Sequence, residues 1–159
     1  MNRLTTIRSL FAAASLSVAA VSASFGHCQI PCGIYDDDAR FKSLAEHITT
    51  IEKSIALITE LSAKSKLTAA DHNQMVRWVA NKEAHADELA EIVTKYFLQQ
   101  RIKPAAEGDA AGEREYLTQV SLLHKLLVGA MKCKQQANAE TTAALKKHLA
   151  AFQKAYPAK

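Results

Sequence analysis

The segment "DDDARFKSLAEHITTIEKSIALI", residues 36–58, decides the fold class of this chain. Its large apolar residues follow one another at alternating spacings of three and four, which places them on one face of an α-helix. They are Phe41, Leu44, Ile48, Ile51, Ile55 and Ile58. The three aspartates Asp36, Asp37 and Asp38 supply an N-terminal cap and suit the positive end of the helix dipole. The segment therefore predicts a first amphipathic helix.

Three further amphipathic segments follow. Thr68 predicts the cap of a second helix, with Asp71 completing a capping box, and this helix reaches Arg101. The run "KPAAEGDAAGE" at 103–113 predicts a loop because it contains one proline and two glycines, and a fourth helix ends before Pro157. The apolar sides are assigned to Met75, Trp78, Val79, Leu89, Ile92, Val93, Tyr96 and Phe97 in the second helix, Leu117, Val120, Leu123, Leu127 and Met131 in the third, and Leu145, Leu149, Phe152 and Tyr156 in the fourth.

The composition supports one helical domain. The chain has 159 residues, 48% of them hydrophobic, with only 5 Gly and 3 Pro. We therefore predict an all-α fold, an antiparallel four-helix bundle over residues 36–159. The net charge of +4 falls to +2 without Arg3 and Arg8, which is too weak to indicate a nucleic-acid partner.

The first 26 residues have the pattern of a cleavable leader. Arg3 and Arg8 precede an apolar run that is too short for a permanent anchor, and small residues follow it. Cleavage after Ala23 or after Gly26 fits the small-residue rule, and only the second frees the amine of His27. The leader predicts a processing peptidase, a periplasmic or secreted location, and no membrane contact after processing. The alternative is a cytoplasmic protein with a dedicated protease.

The segment "HCQIPCGIY" at 27–35 predicts a tight hook. Cys28 and Cys32 lie four residues apart, and Pro31 and Gly33 favour a backbone that brings both sulfurs to one point. A disulfide is one interpretation, because exported chains form them. A redox-exchange pair is a weaker one, since that chemistry usually uses Cys-x-x-Cys in a βαβ context. A metal site is the third.

The metal interpretation uses more of the residues. If the chain begins at His27, its amine, the amide nitrogen of Cys28 and the two thiolates provide four donors in a plane, with the His27 imidazole as a fifth. This set suits Ni(II) or Cu(II) better than zinc, which prefers a tetrahedron. Paired thiolates tend to reduce Cu(II), so nickel is favoured. The hook then predicts one-electron redox chemistry at nickel.

The remaining histidines and the third cysteine carry no such pattern. No Glu-x-x-His pair appears on two helices, as a ferritin-like di-metal centre needs. We therefore interpret the five other histidines as surface or interface positions, and Cys133 as a structural or half-exposed thiol. These histidines are His47, His72, His85, His124 and His148.

The hook also carries a resemblance. The pattern His-Cys-x-x-Pro-Cys-Gly-x-Tyr, written here from His27 to Tyr35, resembles the nickel hook at the mature N-terminus of nickel superoxide dismutases. The segment "NQMVRWVANKEAHADELAEIVTKYFLQQRIKP" at 73–104 is similar to the second helix of one branch of that family. Six hook positions match at fixed spacing.

The resemblance implies a function and a ligand set. One nickel ion per subunit is bound by the amine and imidazole of His27, the amide nitrogen and thiolate of Cys28 and the thiolate of Cys32. Tyr35 orders water or superoxide beside the nickel, and Tyr96 is its partner. Superoxide is converted to oxygen and hydrogen peroxide by Ni(II)/Ni(III) cycling, in a homohexamer. The alternatives are an exported nickel- or copper-binding helical module without turnover and an exported bundle with a disulfide-closed N-terminus.

Some positions depart from the better-known members. Gln29 replaces an aspartate and Leu98 replaces the lysine that the aspartate would meet, so that salt bridge is absent. The glutamate and arginine that hold the axial imidazole have no clear equivalents, because Lys42 and His85 fall near their positions. Glu46, one turn beyond Lys42, is the candidate for the carboxylate role.

Overall fold

The computed structural model describes residues 36–156, and this part of the chain contains helices and no strands. The predicted all-α class is therefore confirmed. The predicted leader at 1–26 and the predicted hook at 27–35 lie outside the described residues. The helices are α1 (Asp37–Ser62), α2 (Ala69–Glu91, continued without a break by the π-helical segment Ile92–Arg101), α3 (Ala110–Gln135) and α4 (Ala139–Ala155).

The ends of α1 and α2 follow the predicted capping chemistry. The Asp36 side chain accepts a hydrogen bond from the amide of Ala39. The Thr68 amide donates to Asp71 at 2.9 Å, while the Asp71 amide donates to the Thr68 hydroxyl at 3.2 Å. Both caps are confirmed. The hydrogen bond from Lys64 and those from Thr68 hold the pKa of Asp71 well below its usual range, so this cap stays charged at neutral pH.

The loop before α3 is shorter than the sequence predicts. The helix begins at Ala110, so Gly112 lies inside the first turn and not in the loop. The cause is Asp109, whose carboxylate accepts hydrogen bonds from the amides of Ala111 and Gly112 at 3.2 and 2.9 Å. A good N-cap therefore outweighs the low helix propensity of a single glycine.

The helices pack as a bundle in which each contacts two neighbours: α1 with α2, α2 with α3, α3 with α4, and α4 with α1. Neighbours α1 and α2 run antiparallel, because Asp37 at the start of α1 contacts Tyr96 near the end of the continued α2, and Ser54 contacts Asn81. All six apolar residues predicted for α1 are buried. One end of the core is aromatic, with ring centroids 5.0 to 5.6 Å apart among Phe41, Phe97, Phe152 and Tyr156.

The buried face of α3 differs from the prediction. Leu117 is 54% exposed and Met131 is 49% exposed, whereas both were assigned to the apolar side. Gln119 is buried, and its amide donates to the carbonyl of Ala155 at 2.9 Å. The helix buries Leu123 as predicted, but it completes its inward face with Leu126 and with small and polar residues, which give little hydrophobic signal. The residues that α3 buries are Gln119, Leu123, Leu126, Ala130 and Cys133.

The early part of α2 also departs from its predicted pattern. Val79 is exposed, while Lys82 is buried. The Lys82 ammonium donates to the carbonyls of Cys133 and Lys134, the latter at 2.8 Å, and so satisfies backbone acceptors at the end of α3. A buried charge is tolerated here because hydrogen bonds to carbonyls replace its water.

Candidate functional site

The start of α1 is the part of the described chain that follows the predicted hook in sequence. Asp37 lies two residues after Tyr35 and accepts several contacts. The Tyr96 hydroxyl donates to its Oδ1 at 2.9 Å, and the Arg101 Nε lies 3.0 Å from the same oxygen. The Tyr156 hydroxyl also hydrogen-bonds Asp37. Side chains from the ends of α2 and α4 therefore fix the first turn of α1.

The π-helical winding of Ile92–Arg101 explains how Tyr96 and Arg101 reach the same carboxylate. Residues five apart in an α-helix point about 140° away from each other around the axis. Here the Ile102 amide donates to the Phe97 carbonyl, five residues back, at 2.9 Å. The wider turn brings Arg101 over Tyr96, and its Nη2 donates to the Tyr96 hydroxyl at 2.8 Å. π-Helical turns occur frequently at functional sites.

The electrostatics of this group indicate a positioning role. Burial raises the pKa of Tyr96, and Asp37 adds to the rise while the hydrogen bond from Arg101 opposes it. Burial, and then Asp37, also raise the pKa of Tyr156. Both tyrosines are therefore protonated at neutral pH and act as hydrogen-bond donors. Neither is a general base at neutral pH, and their hydrogen bonds to Asp37 suit a positioning role.

The proposed metal ligands His27, Cys28 and Cys32 lie outside the described residues, as does Tyr35. The ligand set and the contact between Tyr35 and Tyr96 stay predictions. The candidates for holding the axial imidazole are described. Lys42 and Glu46 are exposed on α1, and neither has a contact that assigns it this role. His85 lies on α2 and takes part in a different cluster.

That cluster joins α1 to α2. The Nδ1 atoms of His47 and His85 lie 2.8 Å apart, and Oε2 of Glu88 lies 3.2 Å from the first and 3.3 Å from the second. Burial lowers the pKa of His47, an effect that the nearby Glu88 opposes. The prediction of surface or interface positions holds for His47 and His85, which lie between α1 and α2, but the sequence analysis did not predict that they contact each other and Glu88. The available sequence signal was the three-residue spacing of His85 and Glu88, together with the position of His47 next to the buried Ile48.

Cys133 is the free cysteine of the described part of the chain, and it is fully buried in α3. Burial raises the pKa of its thiol to about 11, with the nearby Lys82 opposing the rise. At neutral pH the sulfur is a protonated thiol and a poor nucleophile or metal ligand. Of the two interpretations of Cys133, the burial favours a structural thiol over a half-exposed one.

Comparison with known proteins identifies the family. The sequence profile of the family described as nickel-containing superoxide dismutase matches residues 19–159. Neither a curated protein nor a solved structure gives a significant match. The profile match includes the hook motif at 27–35 and all the described helices. The chain therefore belongs to the nickel-containing superoxide dismutases, a family of oxidoreductases.

Proposed function

We propose that the mature chain begins at His27 and binds one nickel ion through its N-terminal hook. The amine and imidazole of His27, the amide nitrogen and thiolate of Cys28, and the thiolate of Cys32 form the ligand set. The observation that carries this proposal is the family match over residues 19–159, which includes the hook. The donor chemistry fits nickel, because two thiolates and two nitrogens in a plane suit Ni(II) and disfavour tetrahedral zinc.

Nickel, when bound, supplies one-electron chemistry between Ni(II) and Ni(III), by which one superoxide is oxidised to oxygen and a second is reduced to hydrogen peroxide. Two protons are consumed in forming the peroxide. A tyrosine is a poor base at neutral pH because its reference pKa is about 10, so we do not assign these protons to Tyr35. Its hydroxyl instead orders water or the superoxide anion beside the open face of the hook.

The bundle contributes a fixed attachment point. Asp37 is held by Tyr96 and Arg101 only two residues after Tyr35, which limits the positions that the hook can reach. A site of this kind needs its ligands held within a fraction of an ångström, and neighbouring rigid elements supply that. The described end of the bundle therefore supports a preorganised hook.

The leader and the assembly complete the proposal. We propose export to the periplasm or the exterior and removal of residues 1–26 by a peptidase. In the described part of the chain, no helix is long and apolar enough to span a bilayer.

We also propose assembly into a homohexamer. It is supported by exposed apolar residues that such an assembly would cover, namely Val76 and Val79 on α2 and Leu117 and Met131 on α3. Light scattering of nickel-loaded enzyme is expected to give six times the chain mass, and a monomer mass would contradict this assembly.

Processing can be tested directly. The active form is expected to start at His27, because cleavage after Ala23 would leave the His27 nitrogen as an amide and remove the terminal amine from the ligand set. N-terminal sequencing and intact mass of purified active enzyme distinguish the two cuts. A Gly26→Pro chain, whose leader cannot be cut normally at this bond, serves as a control and is expected to lack nickel. Full activity in a form that begins at Ser24 would overturn the ligand set.

A further inference from the structure

The cluster of His47, His85 and Glu88 places three metal-ligating atoms around one point. The two imidazole nitrogens and the carboxylate oxygen form a triangle with sides of 2.8, 3.2 and 3.3 Å. Among the described residues, these are the three metal-ligating side chains that lie close enough together to share one ion. The side chains of His47 and His85 are 16% and 29% exposed, and Glu88 is 54% exposed. The group therefore lies in the seam between α1 and α2, with one side open to solvent.

The size of the triangle suits a small divalent cation. Zinc binds imidazole nitrogen and carboxylate oxygen at about 2.0–2.1 Å, so two ligand atoms on a tetrahedral zinc lie about 3.3 Å apart. Two of the three sides already have this length, and the third is shorter by only about half an ångström on the same scale. Rotation of one imidazole about its side-chain bonds is enough to open it.

Hydrogen bonding alone leaves the group unsatisfied. With both histidines neutral, a single proton on Nδ1 of His47 can be shared between Nδ1 of His85 and Oε2 of Glu88. Those two acceptors then face each other at 3.3 Å with their lone pairs directed at the same space. The converse arrangement, with the proton on His85, has the same defect. A metal cation accepts a lone pair from each of the three atoms, so it leaves no acceptor of the cluster without a partner, whereas one shared proton does.

The helix positions of these three residues and the charges around them also favour a bound cation. His85 and Glu88 lie three residues apart on α2 and so share a face, while His47 approaches from α1. Metal sites in helical bundles are commonly built from facing helices in this manner. Glu46 and Arg40 lie near His47 and offset one another, so the carboxylate of Glu88 leaves the site with a net negative charge that favours a cation.

We propose that His47, His85 and Glu88 bind a divalent transition-metal ion, with zinc as the favoured occupant, in a site separate in composition from the nickel hook. Two imidazoles and one glutamate are the protein ligands of a known class of zinc site that keeps its fourth position open to water. The bound ion would clamp α1 to α2. This proposal uses no residue of the hook and does not depend on dismutase activity.

The test is a zinc titration of the full chain carrying Cys28→Ser and Cys32→Ser, so that the hook thiolates cannot take the ion. Cys133 is buried and does not compete. Calorimetry and native mass spectrometry are expected to show one zinc per chain. Adding zinc is also expected to raise the melting temperature, because an ion that binds only the folded state stabilises it.

Three substitutions in that parent, each of which removes a proposed ligand, are expected to weaken zinc binding by at least about 100-fold, the upper end of the cost of losing an outer-shell partner, and to remove the thermal shift. They are His47→Ala, His85→Ala and Glu88→Gln. Glu88 is more than half exposed, so Glu88→Gln tests the site in a chain whose folding is not in question. His72→Ala, which removes an exposed histidine from the first turn of the same helix, is the matched control and should bind zinc like the parent. Absence of zinc from the parent, or undiminished binding in Glu88→Gln and His85→Ala, would overturn the proposal.

Discussion

Replacing either Cys28 or Cys32 with serine is expected to abolish both nickel binding and superoxide dismutation. A thiolate is a soft anionic donor that stabilises oxidised nickel, whereas a serine hydroxyl stays protonated at neutral pH and binds nickel weakly. Losing one of two thiolates also opens the plane of four donors. We therefore expect metal content near zero and activity at the background rate. Metal analysis of purified protein and a superoxide decay assay measure the two quantities.

Cys133→Ser is the matched control, because it makes the same chemical change outside the hook. The Cys133 side chain is fully buried, so the serine hydroxyl has to find an acceptor within the helix, such as the carbonyl four residues earlier. A loss of about 1–2 kcal/mol of unfolding free energy is expected, with nickel content and turnover nearly intact. Equal loss of nickel from all three variants would indicate that the thiols act through the fold and not as ligands.

His27→Ala is expected to separate nickel binding from turnover. The terminal amine, the Cys28 amide and both thiolates remain, so the plane of donors still forms and nickel still binds. The imidazole is lost, and with it the proposed fifth ligand that would stabilise Ni(III). Each 59 mV change in a one-electron potential changes the redox equilibrium by about tenfold, so a moderate shift suppresses turnover strongly.

The measurement compares nickel per chain with the rate of superoxide decay in protein whose mass confirms cleavage before residue 27. We expect nearly normal nickel content with activity reduced by at least about 100-fold, which corresponds to roughly 120 mV at the same conversion. His72→Ala, altered at an exposed histidine of the bundle, should match the unsubstituted enzyme in both quantities. Turnover at the unsubstituted rate in nickel-loaded His27→Ala would refute the axial role.

The success of the sequence prediction differed among the helices for a physical reason. In α1, six large apolar residues at helical spacing leave one choice of buried face, and all six are buried. In α3, leucines occur on more than one face, and the core is completed by Gln119, Ala130 and Cys133. Residues of that kind give little hydrophobic signal, so the helix was predicted correctly and its inward face only in part: Leu123 is buried, and Val120 and Leu127 pack against the core.

The two candidate sites also differ in how much of each could be predicted from the sequence. The hook is local in sequence, so nine consecutive residues were enough to suggest both its ligands and its metal. The cluster of His47, His85 and Glu88 depends on the register between α1 and α2, which residues 38 positions apart in sequence cannot reveal by spacing. The π-helical winding near Tyr96 and Arg101 was likewise invisible, because it changes side-chain directions without changing composition.

The contacts of Asp37 determine how late in synthesis the first turn of α1 can be fixed. Its partners Tyr96, Arg101 and Tyr156 are made long after the hook, and Tyr156 follows the last helix. While the chain is still being translated, the partners that fix the first turn of α1, two residues after the proposed hook, are therefore not yet in place. The attachment point forms only after α4 has left the ribosome and packed. We therefore expect loading of the proposed nickel site to be a late event, and we expect a chain that lacks α4 to bind little nickel although every proposed ligand is present.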